Sequence, residues 1–380
     1  MTGRERILAV LQGEIPDRVP IGLFVQEEFL AYYFPDRNKV DRVVEGVECA
    51  KAFGFDILTR ATTFSTPHFL RKSYPNWEVD QSTTHANGNI YRTTTITTPD
   101  GVLKHAEAAP YHGTTNSGIP FMTTDYLIDS EQNFEIFRKF VPEIDAESIQ
   151  EIKAIAQQAQ HVIGDTGVSV PWGWGGVYNI ASKYRDIQQL MMEPYLNAGF
   201  YHEFMTTLTE LMVKHYEVLG ETESDCLGIG GNIANAAMVG SQFFDQYILP
   251  YEQQVVNTIR QAGKYSLYHN CGNAKVLYSS YLKLGMDVWE TVSPPPQGDN
   301  DLAEAKAEVG GKLILSGNLD QIDFLKKASL KEIDAEVTRI MQTGKPGGKY
   351  IFAASDFLEK GTPPANIQKV VEVAKREGAY

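Results

Sequence analysis

The sequence predicts an α/β fold, a (β/α)8 TIM barrel with an antiparallel β-hairpin insertion near residues 77–111. Short apolar runs alternate with amphipathic stretches along most of the chain. The runs number eight, the strand count of such a barrel. One Thr-rich stretch with strict alternation between turn signals interrupts the rhythm. The expectation is a single domain over residues 1–380. A doubly wound open sheet is the rival arrangement, and periodicity alone does not separate the two.

Taken in order, residues 4–12 read as a helix with Ile7, Leu8 and Leu11 on one face. Ile15 to Pro20 breaks it and leads into a first strand, Ile21 to Val25. A helical pattern over 40–53 is closed by Gly54, and Asp56-Ile57-Leu58 is the second strand. From Trp77 to Tyr111, turns at Ala86-Asn87-Gly88 and Pro99-Asp100-Gly101 separate the strands of a β-meander. The later strands are Val168–Pro171, Cys226–Ile229, Tyr265–Tyr268, Asp287–Trp289, Leu313–Leu315 and Tyr350–Phe352. Helices are expected over 195–219, 242–262, 274–284, 301–309 and 331–343, with a kink or break at Pro250. Asp299 or Asp301 is expected to cap the helix starting near Leu302, and Arg18 to lie on the surface.

Composition narrows the function. The chain has 380 residues, 43% hydrophobic and 22% charged, which is globular. With 34 basic and 48 acidic residues its net charge is −14, which argues against nucleic acid or an anionic membrane as partner. No apolar run approaches the ~18 residues of a membrane span. The start, Met1 to Leu8, lacks a signal-peptide core. Three cysteines, Cys49, Cys226 and Cys271, build no disulfide framework, so a reduced, cytoplasmic protein is expected, with Cys49 and Cys226 buried.

In a barrel, chemistry sits at the C-terminal strand ends. There His269 and Cys271, two positions apart in extended chain, point the same way. Imidazole plus thiolate is a zinc donor set. Glu290, after the following strand, is a candidate third ligand and catalytic group; Asp356, after the last strand, is another candidate ligand. The plain alternative is a small buried cysteine beside a satisfied core histidine. Asn232 follows Gly230-Gly231, so it either orients a ligand or serves a turn. Trp172, Trp174 and Tyr178 lie on a Gly-rich stretch and could wall a pocket for an apolar or aromatic ligand, or simply pack over the barrel. Gly228–Gly231 lacks the spacing of a phosphate-binding loop. The prolines of Ser293–Asp299 stiffen the chain beyond Glu290.

Several of these segments together resemble the uroporphyrinogen decarboxylase superfamily. They are Arg4–Glu14 with Pro16–Pro20, Phe243–Tyr251, Tyr268–Asn273, Ser293–Asp299, Ser316–Asp320 and Gly361–Asn366. The resemblance implies a (β/α)8 barrel. True decarboxylases carry an arginine-rich N-terminal segment that binds porphyrin carboxylates; here Gly22–Glu28 stands in that region and supplies Glu27 and Glu28. Ala354–Phe357 lacks their last-loop histidine. The second branch, zinc methyltransferases working with a corrinoid-carrying protein, resembles this chain at His269 and Cys271. Where its thiol-methylating members place a further cysteine, this chain has Asp356 or a near neighbour.

The expected function is therefore a zinc-dependent methyltransferase of O-demethylase type. It would move a methyl group from a small methylated aromatic substrate to the cobalamin cobalt of a separate corrinoid protein. Zinc on His269, Cys271, Glu290 and Asp356 would polarise the ether oxygen, and Asn232 would orient substrate or water. The alternatives are a thiol- or amine-directed methyltransferase, a metal-free decarboxylase or lyase, and a non-catalytic binder of aromatic ligands.

Overall fold

A computed structural model describes residues 1–59, 64, 66–111 and 121–380. Its strands are β1 (Ile57–Thr59), β2 (Glu78–Ala86), β3 (Asn89–Thr98), β4 (Gly101–Pro110), β5 (Met122–Asp125), β6 (Gly167–Ser169), β7 (Cys226–Gly230), β8 (Tyr265–His269), β9 (Val288–Val292), β10 (Ile314–Leu319) and β11 (Tyr350–Ala354).

β7 to β11 form a five-stranded parallel sheet in chain order, and β1 pairs with β6, also parallel. Single bridges join these pieces: Trp172 to Gly228 links the β6 segment to β7, and Ile21 to Phe352 links the first apolar segment to β11. The Asp56 amide donates to the Ile21 carbonyl at 2.8 Å and brings that first segment against β1. The result is a ring of eight parallel segments, as the sequence predicts. The first segment contributes bridges at Arg18 and Ile21 and not a full ladder, and a helix, Glu27–Tyr33, follows it that the sequence reading did not contain.

Two cores sit on either side of the ring. Inside, Leu58, Val168, Val170, Trp172, Cys226, Leu267, Val288, Ile314 and Ile351 pack together. Ile7, Val10 and Leu11 of the first helix (Gly3–Leu11) join them and plug one end. Outside, the helices pack on the alternate strand residues, among them Leu227, Tyr268, Trp289 and Phe352. Cys49 and Cys226 are buried, as expected. No helix among the described residues is long and apolar enough to cross a membrane.

The insertion is a four-stranded antiparallel sheet, β2–β3–β4–β5. Asn87 and Gly88 both take positive φ, 50° and 73°, giving the two-residue turn that Asn-Gly favours. β5 was not legible as a strand, because Met122–Asp125 is only four residues with no buried member.

Several expectations shift. Glu290 lies inside β9, not beyond it, and β10 runs past Leu315 to Leu319. The apolar runs end early, yet the ladder continues because it depends on backbone groups. The 195–219 helix is two helices, Ile187–Leu196 and Ala198–Gly220, separated by Asn197 in a non-helical conformation. The break anticipated at Pro250 comes as a wide π-helical turn, Phe244–Ile248, ahead of the helix Leu249–Gln261. Asp301 caps the helix Leu302–Glu308, while Asp299 accepts from the amides of Ala274 and Lys275.

Arg18 is not a surface residue. It holds Asp56 with two bonds, at 2.8 and 3.0 Å, and Arg6 reaches the same carboxylate at 2.7 Å. Asp56 also accepts the Ile21 amide at 2.9 Å and is 4% exposed. Residues 6, 18 and 56 are distant in sequence and meet only where the first helix closes the barrel floor. Asp56→Ala takes the shared anion from the part-buried Arg18 and from the buried Arg6, which is left with Asp17 alone. It is expected to destabilise the fold by about 3–5 kcal/mol, read by urea unfolding.

Candidate metal centre

The centre is built on β8. Parallel register pairs Gly230 of β7 with His269 and His269 with Glu290 of β9. His269 is fully buried at the strand end, and Cys271 lies two residues on, partly exposed. Asp356 follows β11 on the far side of the mouth. Ser355 anchors that chain: its amide and hydroxyl both donate to the Leu319 carbonyl, at 2.8 and 3.0 Å.

His269, Cys271 and Asp356 each offer a ligand atom, and these atoms all lie within 4.8 Å of one another. The imidazole Nε2 is 3.9 Å from Asp356 Oδ2. Its other nitrogen, Nδ1, is 3.0 Å from Glu290 Oε2. The structure thus brings all four of these residues together, with Glu290 on the Nδ1 side of the imidazole and Asp356 on the Nε2 side. Imidazole nitrogen, thiolate sulfur and carboxylate oxygen are each zinc donors, and three protein ligands are the usual number where a metal keeps a position open. The residues present therefore fit a zinc ion.

Asn232 opens the short turn Asn232–Ala234 after β7, and its Nδ2 lies 3.7 Å from Cys271 Sγ. Trp172 is buried beneath, its ring 5.9 Å from that of His269 and edge-on to it. Trp174 and Tyr178 are not beside it. Trp174 packs against Phe69, His68 and His215, and Tyr178 against Phe243, all in the outer core. Tyr178 belongs to the helix Val177–Tyr184 and not to a loop, because the glycine-rich stretch ends at Gly176, the N-cap.

The glycines serve ring packing. A Cβ on Gly228 would run into the Trp172 indole, and one on Gly231 into the Tyr268 hydroxyl. A Cβ on Gly176 would meet the Glu252 carboxylate.

Glu252 was missed from the sequence. It is fully buried and accepts the Tyr178 amide at 3.2 Å, at the start of a helix that has no side-chain cap of its own. Burial pushes its carboxyl up to about 7, against the pull of the Tyr178 and Val177 amides. A signal existed: Glu252 shares an apolar stripe with Val255, Val256 and Ile259. Phe24 and Phe357 were also missed; their rings meet edge-on, 6.4 Å apart, next to Asp356 in the chain.

Residues 119–377 match the uroporphyrinogen decarboxylase (URO-D) family. The chain belongs to this family. One relative is the methylcobamide:CoM methyltransferase MtbA of Methanosarcina mazei, 24% identical over 163 residues, 43% of this chain and 45% of that protein. The chain thus spans about half the length of that curated relative. Uroporphyrinogen decarboxylase of Crocosphaera subtropica is 22% identical over 73% of this chain and 78% of that one. Among solved structures, a methyltransferase from Methanosarcina mazei superposes with a TM-score of 0.69 at 15% identity, covering 99% of each chain. That likeness is one of fold.

Glu252 makes stability pH-dependent. Its carboxyl is raised in the folded state, so the folded chain holds the proton longer than the unfolded one. This contribution is complete below the unfolded value near 4.5 and is lost as pH rises through about 7. Glu252→Gln should remove that loss. In urea titrations at pH 5 and pH 8, the variant is expected to gain on the wild type at the higher pH, by up to about 3 kcal/mol.

Proposed function

We propose that this URO-D family protein is a zinc-dependent methyltransferase. Its substrate would be a small methylated compound, an aryl methyl ether, and its acceptor the cobalt of a separate corrinoid protein. The observation that carries the reading is the convergence of one imidazole, one thiol and one carboxylate within 4.8 Å at the barrel mouth. Similarity to a relative named for a methylcobamide substrate supports the corrinoid partner.

Zinc held by His269, Cys271 and Asp356 would supply Lewis acidity towards the oxygen of the leaving group. A carboxylate in place of a second thiolate makes the donor set harder, which suits an oxygen substrate better than a thiol. Glu290 accepts from Nδ1 of His269, which selects the tautomer whose Nε2 keeps its lone pair for a metal and fixes the ring plane. Trp172 closes the floor below His269 and keeps water from reaching the imidazole from the barrel interior. Trp172 on one side, with Phe24 and Phe357 near Asp356, offers aromatic surface to an aryl ring. No side chain needs to act as a covalent nucleophile, since the acceptor is the partner's cobalt.

Decarboxylation is the second reading, because the decarboxylase relatives align over more of the chain. It is the weaker one. The helix after the first segment presents Glu27, ion-paired to Arg42 at 2.8 Å, where a polycarboxylate substrate needs cations.

His269→Ala and Cys271→Ser are expected to lose the roughly one zinc per chain of the wild type. Both should also lose more than about 100-fold in demethylation of an aryl methyl ether with the corrinoid partner present. Wild-type zinc and turnover in either variant would defeat the proposal; carbon dioxide release without a corrinoid would favour the decarboxylase reading. Glu290→Gln keeps the shape of the side chain and removes the charge. It is expected to weaken zinc about 10–100-fold in chelator competition, with the fold intact by circular dichroism.

A further inference from the structure

We infer that Asn232 is a positioning residue for the ligand sulfur: its amide donates to Cys271 Sγ and restrains that thiolate's electron density. The inference rests on the metal-centre reading above and goes beyond it. The contact is 3.7 Å, Nδ2 to Sγ, and among the described residues Asn232 is the side chain that hydrogen-bonds this sulfur. A thiolate only accepts, so the NH2 end of the amide must face it.

The turn carrying Asn232 is pinned directly to the chain carrying the ligands. The Gly231 amide donates to the His269 carbonyl at 2.7 Å, and the Ala236 amide to the Asn273 carbonyl at 2.7 Å. Asn270 Nδ2 donates to the Ala234 carbonyl at 3.2 Å. Within the turn, Asn235 donates to the Asn232 carbonyl at 2.7 Å, and the Ile233 amide donates to Asn179 Oδ1 at 3.0 Å. These five bonds leave the turn little freedom to slide against Cys271. A polar side chain merely finishing a turn would need none of the attachments to β8's continuation.

The chemical consequence follows from charge. A hydrogen bond to a ligand thiolate draws density from sulfur. The metal it binds becomes a stronger Lewis acid, and the sulfur a poorer nucleophile. Both effects matter at a site that handles methyl donors, because a partly exposed thiolate is itself open to alkylation.

The test uses the full chain loaded with cobalt(II) in place of zinc, comparing wild type with Asn232→Leu and Asn232→Ala. Leucine keeps the approximate volume of asparagine without a donor; alanine removes both. The sulfur-to-cobalt charge-transfer band is expected to move to lower energy in both variants by a similar amount. In the zinc-loaded proteins, Cys271 should react with iodoacetamide about tenfold faster, the rate equivalent of one charge-assisted hydrogen bond. That reaction forms a carbon–sulfur bond and releases iodide. If the leucine variant fails to fold, Asn232→Val takes its place as the donor-free variant that keeps most of the volume, and the comparison with alanine is unchanged. A wild-type protein with no charge-transfer band overturns the metal centre, and this assignment with it. A normal wild-type band that stays put in the variants, or moves only when volume is lost, overturns the role of Asn232 alone.

Discussion

Across neighbouring parallel strands, His269 stands in register with Glu290, and the carboxylate meets the imidazole Nδ1 at 3.0 Å. The rest of the mouth is arranged around that pairing. With Nδ1 engaged, the ring plane is set and Nε2 looks toward Asp356. Cys271, two residues further in extended chain, falls on the same side. A one-residue slip of β8 against β9 would turn His269 into the outer core and scatter the three donors. Register is therefore the constraint on chemistry here, and both cores hold it: Leu267 packs inside the barrel while Tyr268 packs outside.

The bulk of the rings is accommodated by absent side chains. Gly228 admits the Trp172 indole and Gly231 the Tyr268 hydroxyl, so the run that looks like a ligand-approach loop is first a packing device. Glu252 belongs to the same arrangement from behind, capping the Val177–Tyr184 helix at the cost of a buried carboxyl. Such a group is tolerable because it can keep its proton near neutral pH. The floor follows a different logic: Arg6, Arg18 and Asp56 form a charged cluster where the first helix seals the ring.

Much of the barrel was legible because its strands are buried on both faces and its helices on one, which prints the two periodicities on the chain. His269 and Cys271 could be paired from sequence because i and i+2 in extended chain share a side, a local fact. Trp174 and Tyr178 could not be separated from Trp172 this way. Whether an aromatic faces the interior of a ring or its outside depends on which strand it continues, and only Trp172 bridges to β7.

By itself, then, the sequence determined what local periodicity and spacing can carry: the alternating α/β order, the meander with its Asn-Gly turn, and a histidine and a cysteine projecting together. Tertiary structure decided which acids answer them. Glu290 is one strand away and Asp356 three, yet closure of the ring sets Asp356 within the ligand group and Glu290 behind the imidazole. It likewise drew Arg18 off the surface onto Asp56 and Asn232 onto the Cys271 sulfur. These contacts join residues tens of positions apart, and no local pattern encodes them; they exist only once a curved sheet has met itself.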